Sequence, residues 1–142
     1  MRRSFLATIG GFDLNLGRVG KNLLSNEELQ MTELALTNGW QVMYLPAALV
    51  AHNVSPERME RQWFLRRGWW QGISECYREQ QAGNIGLSQV NKALEYIARG
   101  IYKASIKYWN QPGDRFENWV FAYGQIGYLL AVLKVLFKGD QA

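Results

Sequence analysis

Two short stretches decide the fold of this chain: Ile-Gly-Gly-Phe-Asp at positions 9–13 and Ser-Asn-Glu-Glu at positions 25–28. The paired glycines suit a turn, because glycine adopts positive φ without a steric penalty. They are predicted to stop one or two helical turns that begin at Arg3. The second stretch reads as a capping box and predicts a helix that ends at Asn38–Gly39. One face of that helix carries Leu29, Thr32 and Leu36.

The pattern then changes from helical to extended and back. Val42–Leu45 and Ala48–Ala51 are short apolar runs separated by a proline, which is typical of strands. Such short strands need neighbours in a sheet, and these would have to come from elsewhere. From Pro56 onward, apolar residues recur at helical spacing, with breaks near Gly83–Asn84 and at Pro112–Gly113. Pro56 is predicted to open the first of these helices and Ser88 to cap the second. We therefore expect an α+β fold that is predominantly α-helical, with one or two short strands followed by three long helices.

Composition indicates one globular domain. The chain has 142 residues with 48% hydrophobic content, enough to bury a core. Its net charge of +4 favours an anionic partner such as a phosphate or an acidic membrane surface. A single cysteine, Cys76, excludes an internal disulfide and zinc-ligand spacing, which indicates a reducing, cytoplasmic compartment.

Beyond the first two stretches, the chain continues with Gly-Trp-Gln-Val-Met-Tyr-Leu-Pro at 39–46 and Ala-His at 51–52. In this order, the series resembles the acceptor half of a family 2 glycosyltransferase with a GT-A fold. The resemblance implies that residues 1–55 are the acceptor-side part of the catalytic domain and that residues 56–142 form a helical C-terminal extension packed on it. It also implies an inverting transfer of a sugar from a nucleotide-diphosphate donor to an acceptor hydroxyl, with the donor-binding half missing from this chain.

The acidic pair Glu27–Glu28 occupies the catalytic position of that family. By the resemblance, Glu28 is the general base on the acceptor hydroxyl, although the family usually has Asp there. A carboxylate at a helix N-terminus stays ionised at neutral pH, because free backbone N–H groups favour negative charge. The alternative is purely structural, with Glu28 as the partner of Ser25 in the capping box.

A metal site is implied only in part. The resemblance makes His52 a ligand of the divalent metal, Mn or Mg, that holds the donor diphosphate, and imidazole is an acceptable ligand for manganese. The family's Asp-x-Asp motif is absent, so no metal or cofactor is expected to bind tightly to this chain alone. Asp13, in the Gly-Gly-Phe-Asp turn, is a candidate substrate-binding residue by the same resemblance.

A cluster of arginine and tryptophan side chains follows His52 and supplies the remaining substrate-binding candidates. Guanidinium groups match phosphate oxygens, and indole faces match sugar rings. The alternative is a helix with buried Trp63 and Trp70 opposite solvated arginines. The candidates for substrate contact are Arg58, Arg66, Arg67 and Trp69.

The last two predicted helices indicate a membrane surface. Between Asn118 and Leu133 there is no charged residue, but this run is shorter than the roughly 20 residues that span a bilayer, which favours a buried or interfacial helix. A basic face is formed by Lys92, Arg99, Lys103 and Lys107. One interpretation is that this face contacts anionic headgroups at the inner face of the membrane, where a saccharide or lipid-linked acceptor would be presented. The alternative is an ordinary solvated face.

The sequence also limits the partners of the chain. We expect no nucleic-acid partner, and apolar surface on an isolated chain would favour a homodimer. The competing function is a non-catalytic helical module that binds a membrane surface or a protein.

Overall fold

A computed structural model describes residues 2–13 and 23–139, and these are almost all helical or connecting segments. The helices are α1 (Arg3–Ile9), α2 (Glu27–Thr37), α3 (Arg61–Gln81), α4 (Leu87–Tyr102) and α5 (Pro112–Gly139). A 3₁₀ turn over Pro56–Met59 precedes α3, and a π-helical turn over Lys103–Lys107 follows α4. The predicted helical character and the helix stops at Gly10, at Asn38–Gly39 and near Gly83 are confirmed. The predicted break before the last helix is confirmed as well, but the preceding helical segment ends at Lys107, and Pro112 begins α5.

Helices α3, α4 and α5 form a bundle held by close backbone approach. A Cβ added to Gly72 of α3 would lie 2.0 Å from the carbonyl oxygen of Gly124 in α5, and one added to Gly124 would lie 2.7 Å from the carbonyl oxygen of Gly68. Any larger side chain at these positions would force the helices apart. The bundle core that this spacing allows comprises Cys76, Ala93, Tyr128 and Val132.

Helix α5 lies at the centre of this bundle, although its composition alone would let it cross a membrane. Its apolar window, Pro112–Phe137, has a mean hydropathy of 1.7, and 28% of the window is buried. A mostly buried core helix of a soluble protein meets the same criterion; α5 contributes two core residues, but most of its apolar window is not buried. The helix is longer than the uncharged run that the sequence singled out.

A smaller core joins the N-terminal helices. Phe5 of α1 and Met31 and Ala35 of α2 are buried together. The ring of Trp40, just after α2, packs edge-on against Phe5 with centroids 5.6 Å apart. The face of α2 that is buried is therefore the one around Met31, whereas Leu29 and Leu36 on the predicted apolar face are more than half exposed.

Polar contacts attach this N-terminal unit to α3. The backbone N–H of Ser25 donates to Ser74 Oγ at 3.0 Å, and Gln30 Nε2 donates to Gln81 Oε1 at 2.7 Å. Between them, Arg78 Nη1 lies 2.7 Å from Glu33 Oε1 in an ion pair. Helix α2 is thus attached to α3 by hydrogen bonds along its length, and its N-terminus is fixed relative to the bundle.

The predicted strands do not form. No residue in the two described ranges is in a strand, and the segment that carries Val42–Leu45 and Ala48–Ala51 is irregular and exposed. Tyr44, Leu49 and Val50 are 86–90% exposed. The physical reason is the one given by the sequence: a short strand is stable only beside another strand, and the described part of this chain supplies none.

Two predicted helix starts are also corrected. The long helix expected from Pro56 begins at Arg61, because the 3₁₀ turn occupies Pro56–Met59 and Glu60 is extended. The next helix is capped by Gly86 rather than by Ser88, whose hydroxyl instead donates to the side chain of Gln89.

Candidate functional site

The acidic pair Glu27–Glu28 opens helix α2, as the sequence predicted. Glu28 is exposed, and no hydrogen bond or ion pair of its carboxylate occurs in the described part of the chain. Glu27 is half-buried, and its Oε2 atom is buried without a hydrogen-bond partner there. Both carboxylates lie in the first turn of α2.

The predicted capping box is wrong. The N-cap residue of α2 is Asn26, with φ of 85° and no capping hydrogen bond from its side chain. Ser25 is instead turned toward α3, where its hydroxyl donates to Gln71 Oε1 at 3.0 Å and accepts from Arg67 Nη1 at 2.9 Å. The long-range bonds to α3 outcompete the local cap, and Glu28 is consequently not held as a capping partner.

A polar cluster on α3 positions the start of α2, and the sequence analysis singled out only Arg67 among its residues, as a substrate contact. Gln71 Nε2 donates to Asn26 Oδ1 at 2.9 Å, and Asn26 Nδ2 donates to Glu75 Oε2 at 3.5 Å. Arg78 Nε donates to the same Glu75 carboxylate at 3.1 Å, and this hydrogen bond is the main reason that the pKa of Arg78 is raised. The only signal in the sequence is the spacing of Arg67, Gln71, Glu75 and Arg78 along one helix face.

The arginines of the predicted cluster have different surroundings. Arg67 donates to the carbonyl oxygen of Leu23 at 2.8 Å as well as to Ser25, so it fixes the segment before α2. Arg58 stacks over the Trp63 ring at 5.0 Å, and its buried Nε atom has no described partner. Arg66 is exposed.

The tryptophans of α3 are half-buried rather than fully in the core. Trp63 meets Phe64 edge-on, and Trp69 packs against Tyr123 of α5 with centroids 5.1 Å apart. Trp70 is also half-buried. The Trp69 ring therefore takes part in helix packing, and its remaining exposed surface is all that it offers to a ligand.

Asp13 is brought close to α2 through one shared glutamine. Gln81 Nε2 donates to Asp13 Oδ2 at 2.7 Å, while Gln81 Oε1 accepts from Gln30 of α2. The Gly-Gly-Phe-Asp turn and the second helix thus meet at the C-terminal end of α3. This places the two stretches that decided the fold on one side of the bundle's first helix.

His52 lies in the exposed irregular segment between Trp40 and Pro56. Across residues 2–13 and 23–139, no group of three or more His, Cys, Asp or Glu side chains is arranged to hold a metal ion. The described residues therefore do not by themselves fit a divalent metal.

Comparison with known proteins gives one partial match. Over 75 residues, or 52% of this chain, the sequence is 32% identical to a glucosyl-dolichyl phosphate glucuronosyltransferase of Haloferax volcanii. The match spans 24% of that relative's length. No family model and no solved structure matches the chain. About half of the chain is therefore related in sequence to a glycosyltransferase.

Proposed function

We propose that this chain is the acceptor-side portion of an inverting, family 2 glycosyltransferase with a GT-A fold. The observation that carries the proposal is its 32% identity over 75 residues to a glycosyltransferase. The exposed carboxylate of Glu28 at the start of a fixed helix is consistent with it. Residues 1–55 would belong to the catalytic domain and residues 56–142 to its helical extension.

The proposed chemistry is a single displacement. The Glu28 carboxylate, assisted by Glu27, accepts the proton of an acceptor hydroxyl as that oxygen bonds to the anomeric carbon of the donor sugar. The bond from that carbon to the nucleotide diphosphate breaks, and the diphosphate leaves with the electron pair. The new bond forms on the opposite face, so the configuration inverts. Because the relative's name gives a dolichyl phosphate-linked sugar, we propose a lipid-linked saccharide as acceptor.

The donor-binding half would complete the site from outside this chain. The irregular segment leaves Tyr44, Leu49 and Val50 almost fully exposed, and Leu29 and Leu36 expose a second apolar face. Apolar surface of this extent favours a partner element. We propose that the missing half covers both and adds the carboxylates that a Mn or Mg ion needs, with His52 as one further ligand and with Asp13, Arg58, Arg66, Arg67 and Trp69 near the substrates.

Glu28→Gln is the direct test, made in a protein that carries a donor-binding half upstream of residue 1. We expect sugar transfer to be lost while the circular dichroism spectrum and melting temperature stay unchanged. Glu60→Gln, an exposed residue with no side-chain capping bond, is the matched control and keeps full turnover. Normal turnover of the Glu28 variant removes the assignment. The 142 residues alone should show no transfer, and measurable turnover by them would contradict the missing-half proposal.

A second candidate function is contact with a membrane surface at its cytoplasmic face. From Tyr96 to Gly113 the chain has no acidic residue, and Ile106 and Trp109 are 66% and 61% exposed next to Lys103 and Lys107. Exposed aromatic and aliphatic side chains beside lysines suit an anionic lipid interface. Flotation with phosphatidylserine vesicles at low salt tests it. We expect binding that Trp109→Ser weakens, and no binding to such vesicles would rule the contact out.

A further inference from the structure

A cavity outside the predicted site opens between α3, α4 and α5. Its volume is about 530 Å³, which lies within the range of pockets that hold small ligands. Gly68, Gly72 and Gly124 form part of its wall, where the backbones of α3 and α5 are in contact.

One side of this cavity is aromatic. Tyr96 of α4 and Phe121 of α5 both line it, with ring centroids 6.1 Å apart and ring planes inclined by 51°. Phe121 is 42% exposed, so part of its ring remains accessible to a ligand. Rings in this position offer an apolar face to a flat or ring-shaped ligand.

The rest of the cavity is lined by both hydrogen-bond donors and acceptors. Glu79 Oε2 accepts a hydrogen bond from the Tyr128 hydroxyl, and Glu79 Oε1 makes no hydrogen bond in the described ranges. Lys92 of α4 and Glu117 and Gln125 of α5 also line the cavity, and no hydrogen bond of their side chains occurs in the described ranges. Acceptors and donors thus face the same space from three helices.

Three carboxylates, Glu75, Glu79 and Glu117, and one ammonium group, Lys92, line the cavity. Arg78 makes two hydrogen bonds to the Glu75 carboxylate and also pairs with Glu33, so Glu79, Glu117 and Lys92 are the remaining charges of the lining. A site for a cation would need a clear excess of unpaired carboxylates. A neutral polyol is better suited, since its hydroxyls donate to carboxylates and accept from lysine and amide groups.

We propose that this cavity binds a saccharide, with one pyranose ring lying on Tyr96 and Phe121 and its hydroxyls bonded to Glu79, Glu117 and Gln125. Two residues that line the cavity, Gln71 and Glu75, also hold Asn26, the neighbour of the acidic pair. Gln71 and Glu75 would therefore lie between the bound saccharide and the start of α2. Its role as an acceptor subsite, though not the binding itself, rests on the proposed function.

The test is a titration of the chain itself with neutral methyl glycosides, followed by amide chemical shifts in NMR. We expect saturable shifts at Gly72 and Gly124 with a dissociation constant on the order of 1 mM. Phe121→Ala and Glu117→Gln change exposed rim positions, so folding should persist, and each should weaken binding about fivefold or more. Glu60→Gln is the matched control, because Glu60 is exposed before α3 and does not line the cavity.

Three results would overturn the proposal. One is the absence of saturable shifts at 100-fold the expected constant, and another is binding that neither rim variant alters. The third is a preference for tetramethylammonium over glycosides, which would assign the cavity to a cation. Because the titration needs no donor and no turnover, glycoside binding in a protein whose Glu28→Gln variant still transfers sugar would leave this site standing while the catalytic proposal fails.

Discussion

The contact between α3 and α5 makes Gly72→Ala the sharpest structural prediction. The new Cβ would lie 2.0 Å from the Gly124 carbonyl oxygen and 2.8 Å from the Tyr128 amide nitrogen. Carbon and carbonyl oxygen in contact are normally at least about 3.3 Å apart, so the helices must separate by roughly 1.3 Å. Both obstacles are backbone atoms, so no side-chain rotation can relieve the overlap.

The expected magnitude follows from two opposing effects. Overpacking a well-filled interface typically costs about 1–3 kcal/mol, and a backbone obstacle places this site at the upper end. Replacing glycine by alanine inside a helix stabilises the helix by about 1 kcal/mol, because alanine has the higher helix propensity. The net loss in the free energy of unfolding should be about 2 kcal/mol, equivalent to roughly 7 °C in melting temperature for a chain of this size.

Thermal and urea unfolding followed by far-UV circular dichroism would measure this loss. Gly113→Ala is the matched control, because its Cβ would meet nothing within 4 Å in the first turn of α5. That variant should be neutral or stabilised by up to ~1 kcal/mol. If Gly72→Ala melts at or above the parent temperature while the control behaves as expected, the close approach of α3 and α5 is refuted.

Three further predictions concern pH and hydrogen bonds. Burial raises the pKa of the Cys76 thiol from 9.0 to about 11. The unfolded chain therefore ionises first, and urea titrations should show the free energy of unfolding falling by about 2 kcal/mol between pH 9 and 11. Burial also raises the pKa of Tyr128, so Cys76→Ala should make this loss clearly smaller without abolishing it, and a loss of unchanged size in that variant would contradict the assignment. Arg67→Ala removes the hydrogen bonds to the Leu23 carbonyl oxygen and to Ser25, and should lower the free energy of unfolding by about 1–3 kcal/mol. It should also speed proteolysis of the segment before α2, and cleavage at the parent rate would show that Arg67 does not fix that segment. Tyr128→Phe removes the hydrogen bond that the Tyr128 hydroxyl donates to Glu79 and should lower the free energy of unfolding by about 1–2 kcal/mol. An unchanged urea midpoint would show that this hydrogen bond does not stabilise the fold.

The periodic and punctuating features of the sequence predicted most of the helices. Gly10 and Gly39 adopt positive φ where the first two helices end, as glycine allows and other residues resist. Pro112 opens α5, where its fixed φ suits a first helical turn. These features act within a few residues of chain, so they can be recognised without knowing what the chain packs against.

The errors arose where a distant element changed the local outcome. Ser25 and Glu28 satisfy a capping-box pattern, yet Gln71 and Arg67 engage the serine hydroxyl and the box is not made. Val42–Leu45 has strand composition, but a strand also needs a neighbour. In the candidate site, the acidic pair at the start of a helix was predicted. The contact of Asp13 with Gln81 and the attachment of Asn26 to Gln71 and Glu75 were not, and Arg67 was predicted as a substrate contact rather than as a partner of Ser25.

The sequence by itself determined the helical character of the chain, the positions of its turns, the acidic pair at a helix start and the relation to glycosyltransferases, because these depend on local backbone preference and on residue order. Only the tertiary structure decided that Ser25 faces α3, that glycine backbones bring α3 and α5 together, and that Glu79, Tyr96 and Glu117 from three helices line one cavity. Those outcomes depend on contacts between residues tens of positions apart. Their energies are fixed by packing and desolvation in the folded chain, and no short window of sequence contains them.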